Sequence, residues 1–143
     1  MNQNRRLRRG NEEGSVAVEA GLILPTLLLF VIGSIEAGRA LWTYQTMVLA
    51  VEEAGRYAMV YGASPNLLTT ASCPSGTVDL ADCAVSRANT YLSNYGTTGV
   101  NVTTTSTPPN LTITATYTFN FVTPLLLPFG PISLTSQVIV PTI

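Results

Sequence analysis

Sixteen consecutive uncharged residues, Ala20 to Ile35, run AGLILPTLLLFVIGSI between Glu19 and Glu36, with Arg5, Arg6, Arg8 and Arg9 a short way upstream. A helix that crosses a bilayer needs about 20 apolar residues, with roughly 17 as the lower limit. The run reaches that length only by recruiting Ser15 to Val18, and Glu19 must then be neutral, paired or held at the interface. A carboxylate just inside such a segment costs roughly 2.5–3.5 kcal/mol on insertion scales. A plain anchor is better without it, so Glu19 has a use.

The arginines precede the run and no comparable basic cluster follows. By the positive-inside preference this puts the N-terminus in the cytoplasm and the C-terminal remainder outside. A cleaved secretory signal is the alternative: it too has a basic start and an apolar core. The order of residues speaks against it. A carboxylate opens the core, and Ile35-Glu36-Ala37-Gly38-Arg39 makes a poor small-residue cleavage site. A retained anchor is therefore the favoured reading. Gly21 and Pro25 lie inside it. Pro25 removes one backbone hydrogen bond and disfavours helical geometry at Leu24, so the sequence predicts a kink or local loosening over residues 21–25.

Charged residues make up 10% of the chain, against about 25% in soluble domains, and they are unevenly placed. There is no Lys, and from Tyr57 to Ile143 the only charges are Asp79, Asp82 and Arg87. That half is rich in Thr, Ser, Asn and Pro. With no basic patch, nucleic acid is not an expected partner. The absence of His removes the commonest general base and metal ligand. No glycine-rich phosphate loop or metal-ligand constellation stands out, so neither enzymatic activity nor a cofactor or metal is expected. Cys73 and Cys83 read as a disulfide closing a short loop if this half faces an oxidising space, and as reduced thiols otherwise.

Helical spacing continues past the apolar run. Ala37, Leu41, Tyr44, Val48, Val51, Gly55 and Ala58 recur at steps of three or four, and Glu52 and Arg56 have the favourable i,i+4 order. Gly62-Ala63-Ser64-Pro65 supplies a stop. One helix over about 15–62 is predicted, spanning the membrane over about 15–36, its small-residue stripe buried in this chain's own head or against a partner. Loop is predicted from Asn66 to Ser72 and around Pro74-Ser75-Gly76. A short helix over Leu80 to Asn94 follows, with Asp79 as its cap and Gly96 and Gly99 ending it. Val100 to Thr104 is β-prone, Pro108-Pro109-Asn110 makes a turn, and Leu111 to Phe121 alternates apolar residues with Thr112, Thr114, Thr116, Thr118 and Asn120. The proline-bounded patch Thr123 to Pro131 is too short and broken for a second span, and Ile132 to Val140 gives the last strand. The predicted fold class is α+β: a long N-terminal helix, membrane-spanning then amphipathic, packed on a small antiparallel sheet in a pilin-like way. The organisation follows as a basic leader (1–14), the helix (15–62) and an exported α+β head (63–143).

Taken together, Gly14 through Val18-Glu19, the apolar run with Pro25, Gly33-Ser34-Ile35-Glu36-Ala37-Gly38-Arg39, and Ala54-Gly55-Arg56-Tyr57-Ala58 resemble the TadE-like family of tight-adherence (Tad/Flp) pilus proteins. The threonine-rich strand and Thr123-Pro124-Leu125 are also similar to that family. Ala20 departs from it, since an aromatic residue often follows the glutamate there. The resemblance implies cleavage between Gly14 and Ser15 by an aspartic prepilin peptidase at the inner membrane, making Glu19 the fifth residue of the mature chain. It further implies that Glu19 meets the new N-terminal amine of a neighbouring subunit, a pairing that makes a buried carboxylate tolerable. Loss of Met1 to Gly14 removes four Arg and two Glu, taking the formal net charge from −1 to −3.

The implied partners are the peptidase, other Tad pilus subunits, the inner-membrane assembly platform and the bilayer. The implied role is that of a minor pilin or pseudopilin that primes or tips the fibre. The alternative is a membrane-anchored extracellular binding module, an adhesin outside the fibre, using its Thr/Asn/Tyr-rich surface with Tyr91, Tyr95 and Tyr117 as candidate sugar-stacking rings. Tyrosines beside short strands are more often core. Asp79 and Asp82 are expected to cap or solvate the cysteine loop. The acceptor-like triplets at Asn101 and Asn110 read as chance in a bacterial setting.

Overall fold

The computed structural model describes residues 4–63, 73, 79–122 and 130–141, with side chains described from Gly14 onward. Five elements follow in chain order: α1 (Asn4–Gly62), α2 (Leu80–Asn94), β1 (Asn101–Thr107), β2 (Asn110–Phe119) and β3 (Ile132–Pro141). The three strands form one antiparallel sheet in the order β1-β2-β3. The fold is α+β, with both helices on one face of the sheet, α1 along β3 and α2 along β1. The predicted loops at 64–72 and 74–78, and the proline-bounded apolar segment at 123–129, lie outside the described residues.

α1 is a single helix of 59 residues, about 88 Å long at 1.5 Å per residue. It begins at Asn4, earlier than residue 15, where the sequence pattern sets in. It also continues through Pro25 without interruption. The proline withholds the hydrogen bond that the Gly21 carbonyl would otherwise accept. One residue on, the Thr26 hydroxyl donates to the Leu22 carbonyl at 3.2 Å. The other hydroxyl of the apolar run, Ser34, donates to the Phe30 carbonyl at 2.8 Å. Both hydroxyls between Ala20 and Ile35 are thus satisfied within the helix.

The core lies in the upper half of α1. Met47, Ala50, Val51, Ala54 and Ala58 are buried against Ala84, Ala88 and Leu92 of α2 and against Leu111, Ile113, Ala115 and Val140 of the sheet. The alternation in β2 sorts as predicted: Leu111, Ile113, Ala115 and Phe119 are buried, while Thr118 is exposed and Thr112, Thr114 and Thr116 are half-buried. The strand stops at Phe119, and Phe121 lies beyond it. Gly55 allows a close approach: a Cβ there would come within 3.1 Å of a Val138 methyl. Small residues on the helix let the β3 backbone settle against it.

The structure refines two readings of the sequence. The helical stripe is core only from Val51 upward; Ala37, Leu41 and Tyr44 are exposed and Val48 half-buried, because the sheet covers a face rotated from theirs. Glu52 and Arg56 both stand exposed and do not pair with each other. The ion pair between the helices is instead Glu53 with Arg87, at 3.6 Å, and its exposed setting makes it worth little.

Asp79 sits at the N-cap of α2 as predicted, but its side chain makes no capping bond, although its carbonyl accepts from the Cys83 N–H at 2.9 Å. Gly96 ends the helix with φ +68°. The Thr97 N–H reaches the Leu92 carbonyl at 2.9 Å and the Gly96 N–H reaches Ser93 at 3.1 Å, a left-handed cap that favours glycine. Cys73 and Cys83 are joined in a disulfide, both buried, which pins the chain before α2 to its first turn.

Candidate functional site

The residues that the sequence singled out for processing and assembly lie along one bare stretch of α1. Every residue from Gly14 to Val31 is exposed, including Gly14, Ser15, Glu19 and Pro25. A Cβ placed on Gly14, Gly21, Gly33 or Gly38 would meet nothing within 4 Å. Among the described residues none pairs with Glu19. This helix is long and apolar enough to cross a membrane, and none of its apolar window is buried within the chain. Large side chains such as Leu22, Leu27 and Phe30 are left for some other surface to cover.

Where the bare stretch meets the head, the structure builds a clasp. Glu36 is 5% exposed, and both its carboxylate oxygens accept from Arg39 Nη1, at 3.0 and 3.1 Å. The Arg39 guanidinium carbon lies 5.5 Å from the centroid of the Phe119 ring, within cation–π range. Phe119 is itself buried and packs edge-on against Phe121 at 5.4 Å. An acid that would be costly alone at the end of an apolar run is thereby neutralised one turn away, and the same arginine fixes α1 to the end of β2.

Beside the clasp opens an apolar groove of about 790 Å³. One wall is α1, with Gly33, Ala37, Leu41 and Tyr44; the other is the sheet end, with Phe121, Ile132 and Leu134. The exposed part of the sequence stripe therefore lines this groove. β3 rises alongside α1, since Ile132 and Leu134 sit level with Gly33 to Tyr44 while Val138 and Val140 sit level with Gly55. The end of β2 and the start of β3 thus lie at the end of the head nearest the apolar run.

Of the three candidate sugar-stacking tyrosines only Tyr95 stands exposed. Tyr91 and Tyr117 are half-buried and pack against the core. Tyr91 and Tyr95 stack on one another with ring centroids 4.7 Å apart. A hydrogen bond with Tyr95 raises the Tyr91 phenol above its ordinary pKa, with slight desolvation and the nearby charges adding to it. The threonines do share a face. Cross-strand pairing sets Thr103 beside Thr114, Thr105 beside Thr112 and Thr116 beside Thr135 on the side of the sheet away from the helices.

Sequence reasoning missed the clasp and the groove. Glu36 and Arg39 three residues apart look like an ordinary surface pair; the available signal was their position at the end of a run where neither is tolerable alone.

The family model described as TadE-like protein matches residues 14–56. No curated protein and no solved structure matches the chain. The match takes in the bare helix, Glu36 and Arg39 of the clasp, and Gly55; it begins at Gly14 and ends before α2 and the sheet.

Proposed function

Taking the TadE-like segment at residues 14–56 as the premise, we propose that this chain is a pilin-like structural subunit, a minor pilin or pseudopilin, of a tight-adherence type IV pilus. A prepilin peptidase cuts it between Gly14 and Ser15 at the inner membrane, with the N-terminus cytoplasmic and the head outside. The mature chain begins with a fresh ammonium at Ser15, four residues before Glu19. In the assembling fibre Glu19 pairs with the ammonium of a neighbouring subunit, and the apolar helices bury one another. Its partners are the peptidase, the other pilus subunits, the assembly platform and, before assembly, the bilayer.

The observation that carries this reading is the bare helix from Gly14 to Val31, with an acid that nothing described in its own chain satisfies. A span meant only to hold a head in lipid gains nothing from Glu19. A span that leaves lipid for a bundle of like helices gains a charged pair that sets the stagger between them.

The test is the mass and N-terminal residue of the chain recovered from sheared fibres and from membranes, with and without the peptidase. The proposal expects Ser15 at the N-terminus wherever the peptidase is present, and a heavier membrane-bound form when it is deleted or when Gly14 is replaced. The same mass under both conditions would refute processing.

A further inference from the structure

We infer that the lower end of the head is seated in the lipid headgroup layer, with the groove between α1 and the sheet end filled by phospholipid acyl chains of the leaflet from which α1 emerges. This rests on reading α1 as a membrane span.

The length of the apolar run carries the first part. Its 16 residues from Ala20 to Ile35 rise about 24 Å at 1.5 Å per residue, whereas the hydrocarbon layer is about 30 Å thick. With Glu19 at the inner boundary, about 6 Å, or four residues, must come from beyond Ile35. Sequence alone forbids this, because Glu36 is next. The structure removes the obstacle, since Glu36 is buried within the protein and neutralised by Arg39. The hydrocarbon boundary then falls near Arg39, whose half-exposed guanidinium is at the right level to face headgroups.

Groove and boundary coincide. Gly33 belongs both to the apolar run and to the groove wall, and Phe121 and Ile132 of the sheet end reach its level. No charge other than the Arg39 partner of Glu36 occurs on α1 from Ala37 to Val51, and none follows Arg87 in the chain. Both walls can therefore enter an apolar layer without stranding an ion. Immediately above the boundary stand Trp42, 60% exposed, and Tyr44 at the groove rim. Rings with a polar edge concentrate at this depth of a bilayer. Continuity with the bare span makes lipid, rather than a second protein, the occupant while the subunit is in the membrane.

Trp42 is the only tryptophan of the chain, so the native protein reports its own depth. The full chain is reconstituted in vesicles of phosphatidylethanolamine and phosphatidylglycerol carrying bromines either near the headgroup end or near the methyl end of the acyl chains. The inference expects Trp42 emission to be quenched several-fold more by the shallow bromines than by the deep ones, and to be shielded several-fold from aqueous iodide relative to free tryptophan. A second protein, Phe30→Trp in a Trp42→Phe background, reports the middle of the span. If that tryptophan is quenched by deep bromines while Trp42 is open to iodide, the seating is wrong and the anchor stands. If both are open to iodide, the anchor reading fails and the inference with it. If Trp42 is shielded from iodide but unquenched by either lipid, protein rather than lipid covers α1 at the level of the groove and the inference is overturned.

Discussion

Glu19 and Glu36 bracket the same apolar run, and the fold treats them oppositely. Glu36 is enclosed and answered by Arg39 within its own helix, whereas Glu19 stands exposed among apolar neighbours. This contrast allows the two acids to be tested separately. Arg39→Ala leaves a buried carboxylate without its donor and strips the cation from the Phe119 ring. It should cost about 1–3 kcal/mol of stability, at the lower end because the arginine is half-exposed. Denaturant unfolding in detergent, followed by near-ultraviolet circular dichroism, would measure it, and an unchanged midpoint would show the clasp to be idle. Glu19→Ala should leave unfolding untouched and the leader still trimmed, yet abolish fibres, because losing one partner of a buried pair costs about 3–5 kcal/mol at each subunit contact. Normal piliation by that variant would remove Glu19 from assembly.

Among the elements, β2 and α2 were legible because each repeats one physical signal. Alternating apolar and threonine residues specify a half-buried strand, and Ala84, Ala88 and Leu92 at helical steps specify the face that α2 buries. Whether the lower stripe of α1 faces its own head or a partner stayed open for an equally physical reason. Ala37, Leu41 and Tyr44 share a helical face, but periodicity cannot tell how far round the helix from that face a short sheet will sit. Gly55 marks where cover is tightest. Gly55→Ala gains helix propensity of about 0.8–1.0 kcal/mol while forcing Val138 to give by a few tenths of an ångström, so its net effect should be small. Gly55→Leu has no such room and should cost about 1–3 kcal/mol as overpacking. Comparing the two midpoints tests the contact: equal stabilities would mean that α1 and β3 are not pressed together there.

At the scale of the molecule, the head does not end where the apolar run ends. Its lowest contacts, Glu36 with Arg39 and Arg39 with Phe119, use residues that a boundary drawn after the span at residue 36 would divide. A soluble fragment that starts at Gly33 should therefore unfold at higher denaturant than one that starts at Ala40, which lacks the clasp and uncovers Phe119. If the two unfold together, the clasp contributes nothing to the head. The family match stops at Arg56, so the architecture of α2 and the sheet had to come from local patterning and from the structure.

The clasp also removes a degree of freedom. With β2 fastened at its foot to an unbroken rod, the hydroxyl rows on the far side of the sheet have no swivel of their own. Each head keeps one compass bearing about the axis of its stem, and copies stacked with a constant turn would display those rows as a regular spiral.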